Sequence, residues 1–202
     1  SGLLSFHPTQ TATWNDFNND GWLDLFIGNE SWRENHPCEL YINNQDGTFR
    51  EISAAAKCDI TKYVKAVTSG DYDNDGWQDI FLSTMDDERI LLKNSGKAQE
   101  GNEISFEDVT KKAGIDKERG RTFTAWFWDY NNDGWLDIFT CDYTLQKSLG
   151  YYVAAEKLGI KAGSENKMLL YRNNQDGTFS NVAREVGLSQ SVFAMGGNFG
   201  GH

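Results

Sequence analysis

A nine-residue acidic segment occurs three times in this chain, and its period limits the fold more than any other feature. Residues 16–24 read DFNNDGWLD, residues 71–79 DYDNDGWQD and residues 129–137 DYNNDGWLD. The three starts lie 55 and 58 residues apart. Periods near this size mark repeat architectures, in which one unit cannot bury its apolar face alone and stacks on the next. Each copy is followed by an apolar run: Leu25-Phe26-Ile27, Ile80-Phe81-Leu82 and Ile138-Phe139-Thr140. Each is preceded by another, at residues 11–14, 64–69 and 123–128. Every acidic segment therefore reads as a loop between two strands.

A second shared segment follows at residues 39–49, ELYINNQDGTF, and at residues 168–179, MLLYRNNQDGTF. Asp46-Gly47 and Asp176-Gly177 between apolar runs predict tight hairpin turns whose two central residues tolerate positive φ. The middle copy diverges, with residues 90–94 leading through a longer polar turn to residues 104–109. Each unit then holds four antiparallel strands, the size of a propeller blade. The expected fold is all-β: a β-propeller of four-stranded antiparallel blades, here about three blades plus the first strand of a fourth. The boundaries fall at residues 9–58, 59–120, 121–190 and 191–202. The third unit carries an insertion near residues 145–167, where Leu149, Tyr152, Val153, Glu156 and Lys157 suit a short helix. Such a helix either packs on the surface or offers an edge to a partner. Residues 193–200 read as the first strand of the fourth blade. Three blades leave the first and third units with apolar faces, including aromatic residues near Trp14 and Phe179, that point to self-association or cover by another domain.

Charge locates the chemistry. Asp and Glu number 30 against 19 Lys and Arg, a net charge of −11. Ten of these acids are Asp16, Asp20, Asp24, Asp71, Asp73, Asp75, Asp79, Asp129, Asp133 and Asp137; setting them aside leaves 20 acids against 19 bases. The excess sits at three foci, which argues against a phosphate-backbone partner and for cations. No apolar run approaches the roughly 20 residues of a membrane-spanning helix.

Calcium takes six to eight oxygens, and loop positions one, three and five converge when the chain turns sharply at position six. The candidate side-chain ligands are Asp16, Asn18 and Asp20, then Asp71, Asp73 and Asp75, then Asp129, Asn131 and Asp133. Gly21, Gly76 and Gly134 supply the turn. Position seven offers a backbone carbonyl from Trp22, Trp77 or Trp135, and position nine a carboxylate from Asp24, Asp79 or Asp137. With position nine bidentate, each loop supplies roughly six oxygens and one water completes about seven. Magnesium fits less well, since it keeps several waters. A single copy is also compatible with a solvated Asn-Asp-Gly turn; three copies in phase favour three calcium sites. Loop 2, with four carboxylates, is expected to bind most tightly.

The remaining residues point away from catalysis. His7, His36 and His202 are far apart in sequence, and no nucleophile, zinc or phosphate-loop signature occurs. Trp22, Trp77 and Trp135 are expected to pack between blades, with glycan stacking as the other reading; Trp32, in a connector, is the better surface candidate. Cys38 and Cys58 share a unit and can pair in an oxidising compartment.

The D-x-[DN]-x-D-G-x-x-D loop, together with the N-N-x-D-G-T-F segment, resembles the FG-GAP/VCBS repeat family over about residues 9–200. It is most similar to bacterial proteins that join these repeats to an ASPIC/UnbV-type domain, which this chain lacks. The resemblance implies a propeller like the integrin α-subunit head, calcium in the loops, and an extracellular, cell-surface or periplasmic location. Two functions follow as expectations: a calcium-binding module that presents a surface to a protein or glycan, or an accessory part of a secreted polysaccharide-processing enzyme.

Overall fold

The computed structural model describes residues 2–3, 5–86, 88–97, 104–118, 120–143, 149–159 and 167–188. Among them, twelve strands form three separate four-stranded antiparallel sheets. The first sheet is β1 (Thr9–Asn15), β2 (Asp24–Asn29), β3 (Glu39–Asn43) and β4 (Phe49–Glu51). The second is β5 (Val64–Gly70), β6 (Asp79–Thr84), β7 (Arg89–Lys97) and β8 (Ile104–Asp108). The third is β9 (Thr122–Trp128), β10 (Asp137–Asp142), β11 (Met168–Asn173) and β12 (Phe179–Asn181). Strands run in chain order across each sheet, and the three sheets do not close on one another. This is the expected all-β array of propeller blades, and the first strands of successive blades lie against each other.

Alternation of side chains across each strand decides which neighbour a residue meets. In blade 2, Ile80, Leu82 and Leu92 face blade 1 and pack with Phe17, Phe26, Leu40 and Ile42. Phe81 and Leu91, one residue out of step, face blade 3 and pack with Ile138, Leu169, Tyr171 and Phe179. Blade 2 is thus covered on both faces, and every residue of β6 is buried. A small cluster of Leu170, Val182 and Ala183, with Tyr130 and Phe139 partly buried, covers the far side of blade 3. At the strand ends away from the acidic loops, the fully buried Arg89 ties blade 2 to blade 3. Its guanidinium donates to Asp142 Oδ1 and to the Glu118 carbonyl.

Several expectations need correction. The β3–β4 and β11–β12 connections are five-residue loops rather than two-residue turns, since Asn43 pairs with Phe49 and Asn173 with Phe179. Positive φ falls on Gln45 and Gly47, and on Gln175 and Gly177; neither Asp46 nor Asp176 shares it. The Asn44 amide closes the first loop on the Thr48 carbonyl at 3.0 Å. Of the two aromatic positions expected on open faces, Trp14 is 52% exposed but Phe179 is 4% exposed, wedged between blades 2 and 3 against Tyr72. The short helix expected within the insertion is present as α1 (Leu149–Lys157). Ala155 is buried and Tyr151 partly exposed, while the side chains of Tyr152, Val153 and Glu156 lie outside the described residues. The strand expected at residues 193–200 also lies outside them.

Candidate metal centres in the three acidic loops

The acidic loops join the first two strands of each blade, and their last residue is the first of the second strand: Asn15 pairs with Asp24, Gly70 with Asp79 and Trp128 with Asp137. Each loop is wound by its own carboxylates. Position one accepts two backbone amides: Asp16 from Asp20 and Gly21 at 3.0 and 2.8 Å, Asp71 from Asp75 and Gly76 at 3.0 and 2.8 Å, Asp129 from Asp133 and Gly134 at 3.0 and 2.9 Å. Position five accepts the amide of Trp22, Trp77 or Trp135 at 2.9–3.0 Å. The winding forces left-handed backbone at Asn19, Asn74 and Asn132 (φ 54–57°) and at Gly21, Gly76 and Gly134 (φ 84–89°). A Cβ at those glycines would meet nothing within 4 Å, so the constraint is backbone conformation and not room.

Position nine anchors the loop to the blade. Asp24, Asp79 and Asp137 are fully buried. Asp24 accepts the Phe17 amide at 3.0 Å through one oxygen and the Asn43 amide at 2.9 Å through the other. Asp79 does the same with Tyr72 and Asn94 at 3.1 and 2.8 Å, and Asp137 with Tyr130 and Asn173 at 3.1 and 2.8 Å. Burial pushes the Asp24 carboxyl up to about 6 and that of Asp79 up to about 8, against the pull of the two amides and reinforced by the neighbouring loop carboxylates. Asp137 moves the same way for the same reason. Each oxygen keeps a further lone pair, so a carboxylate stapled in this way still has capacity for a cation.

The donor set fits a hard, oxygen-seeking metal. Carboxylate oxygens of Asp71, Asp73 and Asp79 lie within 4.8 Å of one another, the one such acidic group among the described residues. Asp73 Oδ1 is buried there with no hydrogen-bond partner, a costly state for a carboxylate oxygen. In loops 1 and 3 an asparagine stands at position three. Asn18 Nδ2 donates to Asp20 Oδ2 at 3.0 Å and Asn131 Nδ2 to Asp133 Oδ2 at 3.0 Å. Gln45 and Gln175 reach the same oxygens from the hairpin loops, at 3.1 and 3.4 Å. In loop 2, Lys93 Nζ takes that place, donating to Asp73 Oδ2 and, at 2.8 Å, to Asp75 Oδ2.

Two sets of residues escaped the sequence reading. The first is Asn43, Asn94 and Asn173, on the third strand of each blade. Asn94 Nδ2 reaches across to the Phe17 carbonyl of blade 1 at 2.9 Å, and Asn173 Nδ2 to the Tyr72 carbonyl of blade 2 at 2.7 Å. A reciprocal bond runs between the loops, from Asn19 to the Gly76 carbonyl at 2.8 Å and from Asn74 to the Gly134 carbonyl at 3.1 Å. The second set is the aromatic at loop position two. Phe17 and Tyr72 are buried between blades, against Phe106 and Phe179. Their signal was present, an aromatic after the first Asp of every copy, but the tryptophans drew the assignment instead. Trp22 is in fact 49% exposed and Trp135 half-buried, and Trp77 alone packs on the core between blades 1 and 2.

The other candidates resolve as follows. Cys38 and Cys58 are both fully buried in one cluster as free thiols, not a disulfide, and burial pushes Cys38 up to about 12. His7 and His36, distant in sequence, meet with their Nδ1 atoms 2.9 Å apart. Trp32 is 67% exposed, stacked on Tyr63, with Arg33 over its ring. Among the described residues no helix is long and apolar enough to cross a membrane.

A search of curated proteins gives no match. Comparison with family profiles matches an FG-GAP-like repeat at residues 16–82 and again at residues 71–140. Each match opens on one acidic loop and closes in the second strand of the following blade, so the family unit straddles the inter-blade contact described above. With the two matches covering more than half of the sequence, the chain belongs to the family of FG-GAP-like repeat proteins.

Proposed function

We propose that this chain is a calcium-stabilised propeller module that works outside the cytoplasm, at the cell surface, in the periplasm or in the surroundings, and presents a face to a protein or glycan. The observation that carries the calcium reading is the orphaned Asp73 Oδ1 inside a three-carboxylate group, in a loop built on the same plan in all three blades. Calcium supplies the positive charge that buried position-nine carboxylates lack among their amide donors. Asp16, Asn18, Asp20 and Asp24 would hold it in blade 1, Asp71, Asp73, Asp75 and Asp79 in blade 2, and Asp129, Asn131, Asp133 and Asp137 in blade 3. The carbonyls of Trp22, Trp77 and Trp135 complete the proposed sets. All these groups come from one loop apiece, which suits a structural rather than a catalytic metal, and binding free energy becomes folding free energy.

The ligand-presenting face lies at the other end of the blades. Strand β2 leaves its acidic loop and leads to Trp32, while Tyr63 precedes β5 at the end remote from loop 2. There Trp32 stacks on Tyr63 with ring centroids 6.1 Å apart, Lys65 Nζ lies 4.3 Å over Tyr63 and 5.3 Å over Phe123, and Phe123 meets Tyr143. Lys65 is already paired with Glu30, so the exposed Trp32 ring, with Arg33 over it, is the group that suits a sugar ring or an acidic group.

Calorimetric titration of chelator-treated protein tests the metal reading. The expected result is calcium uptake together with a melting temperature raised by more than about 10 °C over the chelated protein. An identical melting curve with and without calcium would reject it.

A further inference from the structure

The connector that carries Trp32 is fastened on two sides. Ser31 Oγ donates to the His36 carbonyl and accepts from the His36 amide, both at 2.8 Å, which closes residues 32–35 into a loop tip. On one side the Ser31 amide donates to the Lys62 carbonyl at 3.1 Å and Trp32 stacks on Tyr63. On the other side His36 meets His7, from the segment that precedes β1. Their Nδ1 atoms lie 2.9 Å apart and their ring centroids 5.0 Å apart. That segment is held to blade 1 by Ser5 Oγ, which donates to Glu39 Oε2 at 2.6 Å, and by the Pro8 carbonyl, which accepts from the Glu30 amide at 2.8 Å.

A contact between two Nδ1 atoms has a strict proton count. One ring donates its N–H and the other presents a lone pair, so the contact tolerates a neutral pair or one added proton, but not two. With both rings charged, two N–H donors and two positive charges face each other. Histidine is the side chain whose ordinary titration falls between about pH 5 and 8. Carboxylates surround the pair. Glu34 Oε2 lies 3.8 Å from His36 Nε2. Glu39 of β3, Glu51 of β4 and Asp59 line a cavity of about 390 Å³ together with His7, Cys38 and Tyr41, and no lysine or arginine is among its described lining residues. Glu30, on the adjacent backbone, is taken by Lys65. Once the contact parts, each charged ring has a carboxylate to turn to. Resting on the reading of Trp32 as part of a ligand-presenting face, we propose that His7 and His36 form a proton-sensitive clasp, which holds the Trp32 loop at neutral pH and releases it when both rings are charged. Acidification frees the loop tip and residues 5–7 together, because the clasp joins them, while the Ser31–Lys62 bond keeps the other side attached.

The test is NMR relaxation of the intact chain at pH 7.5 and pH 5.0, with three proteins compared. His36→Asn places an amide near the Nδ1 position and takes up no proton. His7→Phe removes the contact without adding charge. In wild-type protein the backbone order parameters of residues 6–7 and 32–35 are expected to fall from about 0.85 at pH 7.5 to about 0.6 or less at pH 5.0. His36→Asn is expected to keep the high values at both pH values, and His7→Phe to show the low ones at both. The acidic loops titrate in all three proteins, so only the difference between wild type and variant counts. The inference is overturned if the wild-type values do not fall, or if they fall equally in His36→Asn. Should His36→Asn not fold, His7→Asn makes the same decision from the other ring. If the values fall in wild type alone while Trp32→Ala leaves binding to a glycan array unchanged, the clasp stands and the reading of the Trp32 face is what fails.

Discussion

Phe26, Phe81 and Phe139 occupy the same place in the second strand of their blades, yet they differ in what covers them. Phe26 meets blade 2 and Phe81 meets blade 3, and both are fully buried. Phe139 has no described blade beyond it; it is partly exposed, stacked on Trp126 at 4.7 Å. The position-two aromatics repeat the lesson, with Phe17 and Tyr72 buried and Tyr130 only partly so. An identical residue in an identical local structure is a core residue or a surface residue according to its neighbour. Stability in such an array therefore belongs to the interfaces between blades as much as to the blades.

The largest test of this contrast is Phe81→Ala against Phe139→Ala. Truncating the buried phenylalanine is expected to cost about 3–5 kcal/mol in denaturant unfolding, and the partly exposed one about 1 kcal/mol. Equal losses would show that blade 3 is as well covered as blade 2.

Next in size is the carboxylate staple. Asp79→Ala leaves the Tyr72 and Asn94 amides without their acceptor inside the core, and about 2–4 kcal/mol is expected at saturating chelator. Lys112→Ala, at an exposed position, is expected to fall within about 0.5 kcal/mol of wild type. Chemical denaturation of the two variants side by side checks the pair.

A finer comparison uses the asparagines. Asn94→Ala removes a bond across the blade 1–blade 2 boundary and is expected to cost about 1–2 kcal/mol. Asn43→Ala removes bonds to the Leu23 carbonyl and from the Gln45 amide, both exposed and within its own blade, at a cost of about 0.5 kcal/mol. Amide hydrogen exchange gives a second view, with protection at the blade 1–blade 2 contact falling selectively in Asn94→Ala. The smallest effect is expected for Trp22→Ala, within about 0.5 kcal/mol, since half of that ring already faces solvent. A loss equal to that of Trp77→Ala would restore the packing role first assigned to both.

The strands flanking each acidic loop were legible because alternating apolar runs and an Asn-Asp-Gly turn are local signals. Asp16, Asp20 and their counterparts were legible as one winding unit because the bonds that wind them span no more than five residues. The double staple of Asp24, by contrast, joins residues 19 apart in sequence, and nothing local announces it. The hairpin loops were misread for a related reason. Asp-Gly is a strong turn signal, but the pairing of Asn43 with Phe49 sets the loop length, and that pairing depends on the register of the whole sheet.

By itself the sequence determined the repeat, the four-stranded unit and the acidic loops, because periodicity, turn chemistry and charge act over a few residues. Only the tertiary structure decided which aromatics are core, which asparagines lock one blade to the next, and that Lys93 stands beside Asp73 and Asp75. Those outcomes depend on groups between about 20 and 100 residues apart. A contact of that range is set by how sheets stack and which face each side chain takes, and a shift of one residue along a strand would send every one of them to the opposite side.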